Sequence, residues 1–253
     1  MAIPTPDTKL SANDTRILNA LFDPETLPSS VAKARDISTI DSTLPSHPTI
    51  PQSELSTLET QQNEIVSKVS STSPSAQEDQ TTIIDSSLST LDEIIQSCPK
   101  YPSAYLNRAM VQRMKLENTI TDTTPQKSFF TSQESSEPIN SLFKDLSQAI
   151  QLSMPSTPSS PVSPYQARIL RTAHSHRAYL YLKASESGQE WDGKGKAELE
   201  ELASGDFSAA ARYGDEVARE MSVRTNPYAK MCGAIVRNAL AEERREAAQF
   251  SSL

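Results

Sequence analysis

Residues 138–152, PINSLFKDLSQAIQL, place Ile139, Leu142, Phe143, Leu146, Ala149 and Ile150 at steps of three and four behind a proline. At 3.6 residues per turn these side chains share one stripe, and Pro138 suits a first helical position. The stretch therefore predicts a helix that buries one face. The same period recurs on both sides of it. Upstream, Ile84, Leu88, Leu91 and Ile95 mark a helix over 81–97, and Tyr105, Ala109 and Met110 mark one from Ser103 to near Glu117. Downstream, Ile169, Ala173, Ala178 and Tyr181 lie in 165–183, and Leu199, Leu202, Ala203, Phe207 and Ala210 lie in 196–213. Gly214 is a left-handed stop for the latter. A short helix to Met221 follows. A last helix from Pro227 carries Cys232, Ile235, Val236, Ala239 and Leu240 on one side, read as inward.

Weaker patterns precede these. Asp14 caps a short helix through Leu21 and Phe22, ended by Asp23-Pro24. Leu55, Leu58, Ile65 and Val69 mark a sparse helix in 53–69. No stretch alternates as a strand does, and six glycines are few for a turn-rich β fold. The chain reads as all-α.

Ser, Thr and Pro gather in tracts, and apolar residues make up only 36% of the 253 residues. The tracts divide the chain into an N-terminal segment with a linker (1–52), a helical domain (53–225) and a C-terminal helix and tail (226–253). Flexible insertions are expected at 118–137, 153–164 and 185–195. Thr-Pro and Ser-Pro steps at Thr5, Ser73, Thr124, Thr157, Ser160 and Ser163 are candidate phosphate acceptors in such loops.

A net charge of −8 supplies no basic field for phosphates, which excludes a nucleic-acid binder. The first residues lack a secretory pattern, and no apolar run could span a bilayer, so a cytoplasmic or nuclear protein without a membrane partner is expected. Cys98 and Cys232 are read as reduced thiols facing a helix core.

Helix pairs joined at prolines are the mark of a helical solenoid. The tetratricopeptide pattern asks for an aromatic early in helix A, a small residue one turn on, and apolar slots in helix B. Tyr105 and Ala109 fit one helix A, and Leu142, Leu146 and Ala149 its helix B. Ala178 and Tyr181 fit the next helix A, and Ala203, Phe207 and Ala210 its partner. About three repeats result, at about 53–99, 103–152 and 164–214. They predict a short right-handed superhelix with a C-terminal capping helix and disordered insertions. Gln62 occupies the small slot of the first repeat.

The stretch 203–232, ASGDFSAAARYGDEVAREMSVRTNPYAKMC, resembles the C-terminal half of the tetratricopeptide repeat protein 36 family. Its DF-x-x-AAR-x-G and NPYA-x-x-C runs carry the likeness, centred on Asn226, Pro227, Tyr228 and Cys232. ILNALFDPET, PSAYLNRA and KDLSQAIQLS resemble further parts of the same family. The resemblance implies an adaptor without catalytic activity or cofactor, linked to heat-shock 70 chaperone binding or to tyrosine metabolism through a metabolic enzyme.

No catalytic constellation stands out from the residues themselves. His174 and His176 are two apart on a helix and point to different faces, so no metal pair forms. The glycines around Trp191 lack the spacing and the Lys-Ser/Thr of a phosphate loop. The expected site is a peptide groove on the A helices, lined by Asn107, Arg108, Arg171 and His176. Some tetratricopeptide grooves clamp a terminal carboxylate with cations. Here Asn107 matches the clamp's asparagine, but Glu59, Thr172 and His176 stand where cations are wanted. The other expectation is a structural subunit of a larger ciliary or trafficking assembly.

Overall fold

The apolar periods become eight α-helices among the residues described by the computed structural model, namely 40–71, 77–121, 130, 136–157 and 159–250. They are α1 (Gln52–Ser71), α2 (Gln77–Ser97), α3 (Pro102–Thr121), α4 (Ser136–Ser153), α5 (Pro164–Glu186), α6 (Lys196–Arg212), α7 (Glu216–Thr225) and α8 (Pro227–Phe250). Each packs on its neighbour in the chain, and α1 also meets α3, which meets α5. The expected all-α class is what the chain adopts. The short helix read after Asp14 lies outside the described residues.

Local chemistry sets the helix starts. Ser163 Oγ accepts from the Gln166 N–H at 3.2 Å while Gln166 Oε1 accepts from the Ser163 N–H at 3.0 Å. This reciprocal cap, with Pro164 next, opens α5. Gly214, at φ 90°, ends the turn after α6. Asp215 then caps α7 by accepting from the Ala218 N–H at 2.9 Å. Asn226 Oδ1 accepts from the N–H groups of Tyr228 and Ala229, so Asn226-Pro227 is a helix start.

Burial holds the helices together. Ile84, Leu91, Leu142, Leu146, Ile169, Leu170, Leu180 and Leu199 are all closed to solvent. Each contributes about 1.5–3 kcal/mol relative to an exposed side chain. Between α5 and α6 the contact is made by Ala178, Ala203 and Ala210 around Phe207. Small side chains there let two antiparallel backbones approach closely.

Several segments read as loose are packed. In the N-terminal segment read as carrying a linker, Ile40 pairs with Val162 as an isolated bridge, and His47 and Ile50 are buried. His47 Nδ1 accepts the N–H groups of Thr49 and Ile50 and so fixes the entry to α1. In 153–164, Val162 and Ser163 are closed to solvent, and Ser163 Oγ donates to the Ser46 carbonyl. Ser163 is therefore a cap rather than an accessible phosphate acceptor. In 185–195, Trp191 stacks on Phe143 with centroids 4.3 Å apart and also meets Tyr181 and Phe130. A single aromatic anchor outweighs the glycines around it.

The C-terminal helix departs from expectation in the other direction. Cys232 is exposed rather than core-facing, and Ile235 and Leu240 face solvent. The helix contacts α6 and α7 only sparsely. The periodicity was correct for a helix, but apolar residues run too far round α8 for one contact to cover. Cys98 is half-buried.

Candidate functional site

Two ion pairs repeat across the fold. On α3, Arg108 Nε and Nη2 donate to Asp145 of α4 at 2.7 and 2.6 Å, and Nη1 donates to Asp92 of α2 at 2.6 Å. On α5, Arg177 Nε and Nη2 donate to Asp206 of α6 at 2.6 and 2.8 Å. In both, an Arg-Ala step, 108–109 and 177–178, faces an aspartate before an apolar residue, Asp145-Leu146 and Asp206-Phe207. His174 adds a third contact to Asp206, at 2.7 Å. Burial would raise the Asp206 carboxyl, but Arg177 and His174 hold it below the ordinary carboxylate range.

A polar cluster ties α1, α3 and α5 together. Tyr101 and Ser103 donate to Glu59 Oε1 at 2.6 and 2.9 Å, and Arg168 Nη2 donates to Oε2 at 2.6 Å. Burial pushes the Glu59 carboxyl up, yet the Tyr101 hydroxyl, Arg168 and Ser103 outweigh it and lower it. Tyr101 is pushed well above the usual phenol range, by burial first and then by Glu59. One turn along α1, Asn107 donates to Gln62, whose own Nε2 is buried with no hydrogen-bond partner. Between α1 and α2 lies an open groove of about 440 Å³, lined by Gln61, Glu64, Lys68, Ser87, Thr90 and Glu93.

The groove candidates are thereby placed. Asn107 faces Gln62 on α1. Arg108 turns toward α2 and α4, into its ion pairs. His176 turns to α3, where Arg113 Nη1 lies 3.2 Å from its Nδ1. Arg171 is exposed on α5. His174 and His176 diverge to α6 and α3, as their spacing requires. At the clamp positions, Glu59 is an acid engaged with Arg168, and His176 is neutral near pH 7. Tyr105, Ala109, Ala178, Phe207 and Ala210 are packing residues, with Ala109, Ala178 and Ala210 closed to solvent. Asn226 and Pro227 form the α8 start, and Tyr228 and Cys232 face outward.

Sequence reasoning missed Glu59, Asp145 and Asp206 as organising groups. The Arg-Ala repeat at 108–109 and 177–178 was the available signal for the two aspartates. Nothing local marks Glu59, whose partners are 42, 44 and 109 residues away.

Burial and then the Arg113 charge lower His176 from 6.5 to about 4. The fold thus favours neutral imidazole. Above pH 6.5 neither state is protonated and His176 contributes no pH dependence. As pH falls from 6.5 toward 4 the unfolded chain takes the proton first, so stability is lost, by up to about 3 kcal/mol. Urea melts at pH 7 and pH 4.5 should differ more in the wild type than in His176→Asn. Equal differences would remove His176 as the titrating group.

Among the described residues, no group of three or more His, Cys, Asp or Glu is placed to hold a metal ion. No helix among them is long and apolar enough to cross a membrane.

A curated protein of Aspergillus fumigatus, the L-tyrosine degradation gene cluster protein hmgX, is 42% identical to this chain over 247 residues. The alignment covers 92% of this chain and 93% of that protein. No protein-family model matches the chain, and no solved structure matches it.

Proposed function

We propose, from the premise that the chain belongs to the family of the L-tyrosine degradation gene cluster protein hmgX, that it is a non-catalytic adaptor which serves tyrosine breakdown by holding a protein partner. The kinship along nearly the whole chain is the observation that carries this reading. Its helices are read as tetratricopeptide repeats of the kind found in tetratricopeptide repeat protein 36, stacked as a short superhelix. Support comes from the two equivalent Arg–Asp pairs and from small Ala109 and Ala178 at matching places in α3 and α5. Repeating units that bury their faces only against neighbours leave an extended surface for a ligand.

The partner is a metabolic enzyme of tyrosine breakdown in the cytoplasm, bound on the surface shared by α1, α3 and α5. A chaperone's terminal carboxylate fits this surface less well. Glu59 would repel it, and neutral His176 offers no full charge. Exposed Arg171 is the groove cation the partner meets.

Affinity purification of the full chain from tyrosine-fed host cells tests this, with partners identified by mass spectrometry. An enzyme acting on tyrosine or its breakdown products should be recovered with the wild type and lost with Arg171→Glu/Thr172→Glu. Recovery of no such enzyme overturns the adaptor reading. An unchanged partner list in the variant moves the contact to another face.

A further inference from the structure

α1 packs on α2 more sparsely than α3 packs on α4 or α5 on α6. The gap is the groove of about 440 Å³, whose walls run over residues 61–68 of α1 and 86–97 of α2. The longer wall spans roughly 17 Å, room for about five residues of extended chain.

The lining is rich in hydrogen-bond acceptors. The hydroxyls of Ser86, Thr90 and Ser97 donate to carbonyls of their own helix, at 3.0 Å each. Each then offers only lone pairs to the groove. Glu64 on one wall and Glu93 on the other are exposed, and among the described residues neither makes an ion pair or a hydrogen bond. The neighbouring acids Glu59, Asp85 and Asp92 are instead held by Arg168, Lys115 and Arg108. Ser87 is only 5% exposed, yet its hydroxyl has no partner among the described residues. A polar group so placed gains from a ligand that bonds it. Lys68 is the cation of the described lining, so carboxylates outnumber cations there two to one. Ile65 and Ile94, both buried, form an apolar floor.

We propose that the α1–α2 groove binds an extended segment of a partner protein, one that carries an arginine two residues from an aliphatic side chain. A guanidinium brings five N–H donors and no acceptor, the complement of this lining. Alternation along an extended chain puts residues two apart on the same face, about 7 Å from each other. The arginine meets Glu64, Glu93 and the acceptor hydroxyls while the aliphatic group covers Ile65 and Ile94. A free polyamine matches the charge but offers the isoleucines nothing, which favours a protein segment. Glu64 lies two residues from Gln62 and so points away from it round α1. The groove is thus a different face from the surface shared by α1, α3 and α5. The inference does not depend on the partner reading there, and its failure leaves the Arg171 purification result standing.

Selection of phage-displayed random heptapeptides on the purified full chain tests this. Sequences with arginine two residues from Leu, Ile or Val should be enriched on the wild type and lost on full-length Glu64→Gln/Glu93→Gln. A selected peptide, synthesised with blocked ends, should bind that variant about 10-fold more weakly. Replacing its arginine with neutral citrulline should weaken wild-type binding as much. Glu190→Gln/Glu201→Gln removes the same charge from exposed acids outside the groove and should bind as the wild type does. All four substitutions are at exposed residues, so circular dichroism melts of both variants should match the wild type. No enrichment, enrichment without arginine, or equal binding by the groove variant overturns the proposal. Equal loss in the control variant also overturns it and assigns binding to net charge. Displacement of the peptide by equimolar spermidine overturns it too and assigns the groove to a free polycation.

Discussion

Asp206→Ala should lower the free energy of unfolding by about 3–5 kcal/mol, read as a large fall in the urea midpoint. The magnitude follows from what the substitution strands. Arg177 keeps its full charge in a site where its side chain is 21% exposed, and loses both Asp206 oxygens while keeping the Ser147 Oγ at 3.0 Å. His174, 12% exposed, loses the Asp206 carboxylate at the same moment. The total stability of a domain is only about 5–15 kcal/mol, so this single loss takes a third or more of it. Asp145→Ala makes the comparison informative. There Arg108 keeps Asp92, which is half-exposed and able to follow it. The cost should be smaller by about 1–2 kcal/mol. If Asp145→Ala proves the more damaging, the second carboxylate that Arg108 keeps in Asp92 is not what sets the difference. Asp206→Asn should fall between wild type and alanine, since it keeps acceptor and shape but not charge.

Phe143→Ala should cost about 3–5 kcal/mol and at the same time free the tryptophan loop. Phe143 is the floor on which Trp191 stacks, and it also meets Tyr181 at 4.9 Å. Trp191 is the sole tryptophan of the chain, so its emission reports this one aromatic site. The variant should emit at longer wavelength under native conditions, before any unfolding seen by circular dichroism. Emission unchanged from wild type would mean that the loop is held by Phe130 and Tyr181 alone. Trp191→Ala should cost less, because its ring is half-exposed and leaves a dent rather than a cavity.

The helices were legible because their information is local. Ile139, Leu142, Leu146 and Ala149 announce α4 within eleven residues, and the structure buries all four. Asn226-Pro227 and Gly214 likewise mark boundaries that backbone chemistry enforces. What was not legible is mostly long-range. Trp191 looks like a residue adrift among glycines until Phe143 is beside it. Arg108 looks like a groove cation because sequence spacing cannot say that Asp145 will stand opposite. For α8 the pattern named a helix correctly and misjudged its cover. An apolar stripe states that something must be covered, but not that the cover comes from the neighbouring helix.

The Arg108–Asp145 pair has a consequence for how this chain can change. It fixes the seating of α3 on α4 from inside the helices, while the residues that join them lie at 122–135. A joint set from within does not require a connection of any given length. Closing a longer connection costs only about 0.6 kcal/mol for each doubling, a small charge against a gripped aspartate. Insertions and deletions should therefore be tolerated between α3 and α4 far better than a one-residue shift within either helix, which would rotate Arg108 or Asp145 by about 100° out of the grip. Alignment of this chain with its relatives should show gaps accumulating between these helices and none within them.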